Sequence, residues 1–291
     1  MNLDFLCIGV QKAATSQVYS VLSKHPEIHI PEKEFYFFSP KGEYKSDNPE
    51  QINFDKSLDW YKKQFKKDGR KKGEISTHYI YDSDAAERIK KAFPDVKLFA
   101  ILRNPIERAI SHYKMEAYKY CKEDRDLLEI IEEDPANEII QRGKYHKQLQ
   151  PYFQIFNAGQ IKIFFLEDLK NDPEAFFEDL FDYVSVDPSF RHPQIHKKKN
   201  ESTTSRFRSI PKLLRRIRKI AQKSTFGSYI ISMLEYYGIG QFLRRNIKRI
   251  NLKEDDTTFD PRVRKKLHTI FKDDIEALEN LLNKDLSHWK S

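Results

Sequence analysis

Residues 5–20 read FLCIGVQKAATSQVYS, and this stretch constrains the chain more than any other. The apolar run from Phe5 to Val10 predicts a buried strand, and a helical spacing of apolar residues sets in at Gln17. Between them lie Gln11, Lys12 and four small residues, Ala13, Ala14, Thr15 and Ser16. A strand, a tight turn and a helix N-terminus aim free backbone N–H groups and the positive end of a helix dipole at one point. Lys12 adds a full charge there, and Thr15 and Ser16 add hydroxyl donors. The ligand that suits such a turn carries phosphate or a phosphate-like group. The turn is not a Walker A loop, which places its Lys at the end of G-x-x-x-x-G-K-[ST]. Here Lys12 precedes the small residues, and no second glycine follows Gly9 in the turn.

A second segment, VKLFAILRNPIERAISHY at residues 96–113, adds a second anion-binding group. Val96 to Leu102 predicts another buried strand, ended by Arg103-Asn104-Pro105, and Pro105 suits the first turn of a helix. On that helix Arg108, Ser111 and His112 fall at three- and four-residue spacings, which share a face. Arg103, at the carboxyl end of a strand, stands where open α/β sheets bind ligands.

Taken together, these residues resemble the PAPS-dependent sulfotransferases, whose donor is 3′-phosphoadenosine 5′-phosphosulfate and whose product is PAP. GVQKAATS followed by His25-Pro26 resembles the family's 5′-phosphosulfate loop, usually G-x-x-K-[GA]-[GA]-T-[ST]. Leu102 to Tyr113 resembles its 3′-phosphate motif. PEKEFYFF at residues 31–38 is similar to the K-E-x-x-F-F segment of the glycan-type branch, which includes the heparan sulfate sulfotransferases. GEISTHY at residues 73–79 is similar to that branch's G-E-K-[ST]-P-x-Y. GKYHKQL (143–149), FLEDL (165–169) and DLSHW (285–289) sit at the expected later places.

The resemblance implies an α/β, P-loop-like three-layer fold: a central parallel sheet flanked by helices, plus a helical basic cap. It assigns donor binding to Gln11, Lys12, Ala13, Ala14, Thr15 and Ser16 on the phosphosulfate side. It assigns Arg103 and Ser111 to the 3′-phosphate, and Tyr145 and Lys199 to the nucleotide. Lys12 is expected to stabilise the leaving phosphate during in-line transfer, which needs positioning and charge stabilisation but no metal. Glu34 is the base the resemblance implies, and its neighbours Phe35, Phe37 and Phe38 are expected to raise its pKa by desolvation. His78 and His112 are the rival bases, since histidine titrates near neutral pH. Two departures stand out. Ala13 and Ala14 replace glycines, so the turn must avoid or tolerate positive φ. Ile75 replaces the lysine common in the glycan-type branch, where it serves the catalytic centre or acceptor, and its absence counts against a heparan-like acceptor.

The expected acceptor is a hydroxyl of a small metabolite or natural product, or of a glycan, with an amine left open. Two other functions compete. A P-loop nucleotide kinase would place an acid at the end of a central strand, and the Phe164–Leu166 run does end in Glu167-Asp168. A non-enzymatic binder of anionic polymer or membrane would use the basic residues between 206 and 249.

With 291 residues and 39% hydrophobic content, the chain has material for one sizeable core, rich in its 21 Phe and 15 Tyr. It is read as a single domain over residues 1–291 with a cap inserted at 205–255. The net charge of +8 suits an anionic partner. Basic runs at 197–199, 206–223 and 244–249 allow peripheral contact with anionic lipid, and nucleic acid is not expected. Cys7 and Cys121 are too few for a disulfide framework. Without a signal peptide or a membrane-length apolar stretch, a cytoplasmic enzyme is expected.

Overall fold

A computed structural model describes residues 2–40, 53–119, 123, 125–197, 203–205, 252–254 and 259–290. The chain divides into two compact units, one formed by Met1–Arg108, Arg142–Lys199 and His268–Ser291, the other by Ala109–Gln141 and Asn200–Leu267. Most of the expected cap, residues 206–251, lies outside the described residues.

The first unit carries a five-stranded parallel sheet flanked by helices. Its strands are β1 (Phe5–Gly9), β2 (Ile28–His29), β3 (Lys71–Ile75), β4 (Lys97–Leu102) and β5 (Ile161–Phe165). The order is β2-β3-β1-β4-β5, so β1 is central and the chain switches sides across it between β3 and β4. Every β1 residue is buried, as a strand covered on both faces requires. Gly73 on β3 pairs with Phe5 in register, and a Cβ there would stand 2.0 Å from the Phe5 ring, so only glycine lets that ring lie across the strand.

Helices α1 (Thr15–Leu22), α2 (Leu58–Lys63), α3 (Ala85–Ala92) and α4 (Pro105–Lys114) precede the second unit's α5 (Leu127–Glu133) and α6 (Glu138–Gln141). Then come α7 (Tyr145–Ile155), α8 (Leu166–Asn171), α9 (Pro173–Tyr183) and the long α10 (Pro261–Leu282). The start of α4 follows from its sequence. Pro105 needs no N–H partner, and the Asn104 side chain accepts from the amides of Ile106 (2.9 Å) and Glu107 (3.3 Å).

The helix opened by Pro105 ends at Lys114, and Met115–Lys119 continues as a wider π-helical turn. β5 stops at Phe165, because Leu166 already opens α8. Thr203–Ser205 (β6) pairs antiparallel with Leu252–Glu254 (β7). A polar three-residue strand paired so far along the chain has no local hydrophobic signature.

Candidate active site

The carboxyl ends of β1, β3 and β4 deliver three loops to one edge of the sheet. The β1 loop reaches α1 through two left-handed residues, Lys12 at φ 75 and Ala14 at φ 58. Each such non-glycine residue costs about 1 kcal/mol. The turn thus tolerates positive φ at Ala14, one of the two alanines in question. Ala14 is also the N-cap of α1. It has no side-chain acceptor to offer the first-turn amides, and that turn has no acidic residue. The usual internal partners of a helix N-terminus are missing from the sequence by design of the turn, and an external anion fits in their place. Gln11 Oε1 and Arg103 Nε are buried with no hydrogen-bond partner among the described residues.

Arg103, leaving β4, donates from Nη1 to the carbonyl of Lys12 at 3.1 Å. The loops after β1 and β4 therefore meet at a contact that spans 91 positions in sequence. Tyr145, fully buried at the start of α7, donates its hydroxyl to the Arg103 carbonyl at 2.9 Å, bracing the arginine backbone. Glu107 Oε2 stands 4.0 Å from Arg103 Nη2.

The segment after β2 supplies Lys33 and Glu34. It is pinned to β3 by the Glu34 amide, which donates to the Ile75 carbonyl at 2.8 Å. Glu34 accepts from the Thr77 amide (2.9 Å) and hydroxyl (3.0 Å), and pairs with Lys33 Nζ at 2.9 Å. His78 Nδ1 lies 3.7 Å from Glu34 Oε2, and the Tyr36 ring packs edge-on to that imidazole. Lys33 Nζ also donates to Ser16 Oγ at 3.2 Å, tying this segment to the β1 loop.

These contacts overturn one expectation. Burial does push the Glu34 carboxyl up, but His78 and Lys33 together outweigh it, and its pKa falls from 4.5 to about 2. Phe35, Phe37 and Phe38 do not surround the carboxylate. They are buried against one another, Tyr61, Phe65 and Tyr79. Burial lowers the His78 pKa, partly opposed by Glu34, which favours the neutral imidazole.

Sequence reasoning missed Glu74. This fully buried β3 residue accepts hydroxyl protons from Ser76 (2.6 Å), Tyr79 (2.5 Å) and Tyr61. Burial raises its pKa to about 7 despite these donors. The available signal was a carboxylate inside an otherwise inward-facing strand end, Gly73-Glu74-Ile75. Tyr79 OH in turn accepts from the amides of Phe37 (2.9 Å) and Phe38 (3.3 Å), so Glu74 anchors the segment that bears Glu34.

Ser111 and His112 belong to the second unit, where His112 is buried with Glu116 Oε1 3.9 Å from its Nε2. Lys199 lies outside the described residues. The acid pair after β5 does not form the site expected of a kinase. β5 is an edge strand, and Glu167 Oε1 accepts from the Asn104 amide at 3.3 Å.

Residues 3–277 match the family model of the sulfotransferase domain. The chain belongs to that family of enzymes, which displaces the kinase and the non-enzymatic binder. It is similar to heparan sulfate glucosamine 3-O-sulfotransferase 3A1 of Mus musculus, at 25% identity over 62% of this chain and 45% of that protein. It is also similar to the bifunctional heparan sulfate N-deacetylase/N-sulfotransferase 4 of Mus musculus, at 24% identity over 65% of this chain and 23% of that protein. The chain thus spans less than half the length of these curated relatives. Among solved structures, a sulfotransferase from Alicyclobacillus acidocaldarius superposes with a TM-score of 0.69 at 23% identity, covering 100% of both chains. The sulfotransferase domain of the curacin biosynthetic pathway gives 0.51 at 12% identity, over 68% of this chain and 79% of that one. These likenesses establish the fold. Among the described residues no helix is long and apolar enough to cross a membrane.

Proposed function

We propose that this protein transfers a sulfuryl group from PAPS to a hydroxyl of a glycan or a small metabolite, with an amine acceptor as the variant chemistry. The observation that carries the reading is the contact of the Arg103 side chain with the Lys12 carbonyl, because it joins the loops that leave β1 and β4 at an uncapped helix N-terminus. The curated relatives named above supply the glycan option. When bound, PAPS provides an activated sulfuryl group on a phosphate leaving group.

The chain's own residues divide the work. The α1 N-terminus, Thr15 and Ser16 suit the 5′-phosphate, and Arg103 suits the 3′-phosphate. Lys12 supplies the charge that a leaving phosphate oxygen demands, a role typically worth a few kcal/mol in a preorganised site. Tyr145 keeps Arg103 in place. Glu34 is ionised at neutral pH and is therefore in the form that accepts the acceptor's proton. A second reading of the base is favoured by the 3.7 Å Glu34–His78 approach. In it, neutral His78 takes the proton and the adjacent carboxylate stabilises the imidazolium.

The test is calorimetry with PAP followed by transfer of labelled sulfate from PAPS to a panel of acceptors. Micromolar PAP binding that is lost in Lys12→Ala and Arg103→Ala is expected. An intact protein that does not bind PAP refutes the reading. Comparing Glu34→Gln with His78→Gln in single turnover identifies the base as the residue whose loss abolishes transfer while PAP binding persists.

A further inference from the structure

We propose that Lys33 is a second cation of the transfer centre, its ammonium bridging the donor loop at Ser16 and the carboxylate of Glu34, so that the base senses whether the loop is filled. This rests on the sulfotransferase reading above. The geometry of the backbone carries it. Successive side chains of an extended segment point to opposite faces, so Lys33 and Glu34 should diverge. They do not, because Glu34 has φ 65 and the alternation breaks there. The cost of a left-handed non-glycine residue, about 1 kcal/mol, is accepted and held in place by the bridge of Lys33 to Ile75 and by the Glu34 amide on the Ile75 carbonyl. The result places Lys33 Nζ 2.9 Å from Glu34 Oε1 and 3.2 Å from Ser16 Oγ.

An ammonium has three N–H donors. Two are directed at Ser16 and Glu34, and the third serves an anion lying on the loop. The groups that face Glu34 are Lys33 on its own segment, Thr77 and His78 after β3, and, at longer range, the buried Glu74. Of these, Lys33 also touches the donor loop, at Ser16. When a polyanion occupies the loop, the ammonium is shared with it, its hold on Glu34 weakens, and the carboxylate becomes a stronger base. Donor binding thereby prepares proton removal from the acceptor.

Two readouts test this, one of them independent of turnover. The first is a carbon-13 titration of labelled glutamate carboxyls, with Glu34 assigned by its absence in Glu34→Gln. Addition of PAP is expected to move the Glu34 titration upward in the wild type and to leave it unmoved in Lys33→Met. The second is transfer from PAPS. Lys33→Met is expected to lower kcat about a hundredfold, the scale of losing one charge-stabilising donor, with partial rescue in Lys33→Arg. Lys33 is part-exposed, and unchanged melting of Lys33→Met checks its folding. Should that variant fail to fold, the wild-type titration with and without PAP still decides. A wild type that turns over PAPS while Lys33→Met keeps kcat within about threefold and PAP leaves Glu34 unmoved overturns the bridge alone. A wild type that neither binds PAP nor uses PAPS overturns the sulfotransferase reading with it.

Discussion

The β1 loop at residues 10–16 and the segment at residues 33–38 both bend through left-handed non-glycine residues, yet they are built in opposite ways. The loop relies on backbone: small side chains, an N-cap that caps nothing, and one arginine holding a carbonyl from behind. The second segment relies on side chains. Glu34 is held by Lys33 and Thr77, and the Phe37 and Phe38 amides by Tyr79. Asn53 donates to the Phe35 carbonyl at 3.0 Å. A binding surface for a fixed anion can be made of amides that every sequence has. A proton acceptor needs a particular group in a particular ionisation state, so its surroundings must be specified residue by residue.

The sharpest way to break this contrast is at Lys12, the loop's single charged side chain. Lys12→Ala is expected to lower turnover on PAPS by about two to three orders of magnitude, with a weaker effect on PAP affinity. Steady-state kinetics beside calorimetry separates the two. Equal losses in both would make Lys12 a binding residue only. Next in size is Glu34→Gln, expected to cost about a hundredfold in kcat while PAP affinity stays near normal. Retained turnover would move the base to His78 or His112. Smaller again is Ala14→Asp, which gives the α1 N-terminus the acceptor it lacks. An Asp cap typically adds about 1 kcal/mol of stability, and it opposes a bound anion. PAP affinity is expected to fall about tenfold or more with no loss of melting temperature. Unchanged affinity would mean that the helix N-terminus is not where the anion sits.

The same contrast explains what could be read from the amino acids. β1 and β4 announce themselves, because central parallel strands are continuous apolar runs, and their ends carry Lys12 and Arg103. The β1 loop was legible because its parts lie within a few residues of a strand end. The surroundings of Glu34 were not. The sequence places three phenylalanines beside Glu34, but φ 65 at Glu34 and φ 52 at Tyr36 turn those rings into the core. The carboxylate meets Thr77 and His78 instead, more than forty positions away. Its ionisation therefore came out opposite to the local reading. Glu74 was silent for the same reason, since its partner Tyr61 comes from α2 and no spacing rule links α2 to β3. Short elements such as α6 and β6 carry too few residues to show a period.

The smallest expected effect separates the two carboxylates most cleanly. Glu34 is held down at about 2 and Glu74 is pushed up to about 7, from the same ordinary value of 4.5. For Glu34, the folded chain releases its proton more readily than the unfolded one. That stabilisation is complete above 4.5 and is lost as pH falls toward 2. For Glu74 the sign reverses. Between 4.5 and 7 the folded chain keeps a proton that the unfolded chain has released, so its contribution is complete below 4.5 and declines as pH rises to 7. Burial of Glu74 is what makes its anion costly, and repulsion from ionised Glu34 adds to it. Denaturant midpoints measured from pH 4.5 to 7.5 should therefore carry a downward component on the order of 1–3 kcal/mol. Glu74→Gln is neutral throughout and should abolish that component, whatever the variant's absolute stability, whereas Glu34→Gln should leave most of it. A decline of the same slope in Glu74→Gln would assign the titration to another group, and the buried Glu74 carboxyl would then be ionised like Glu34.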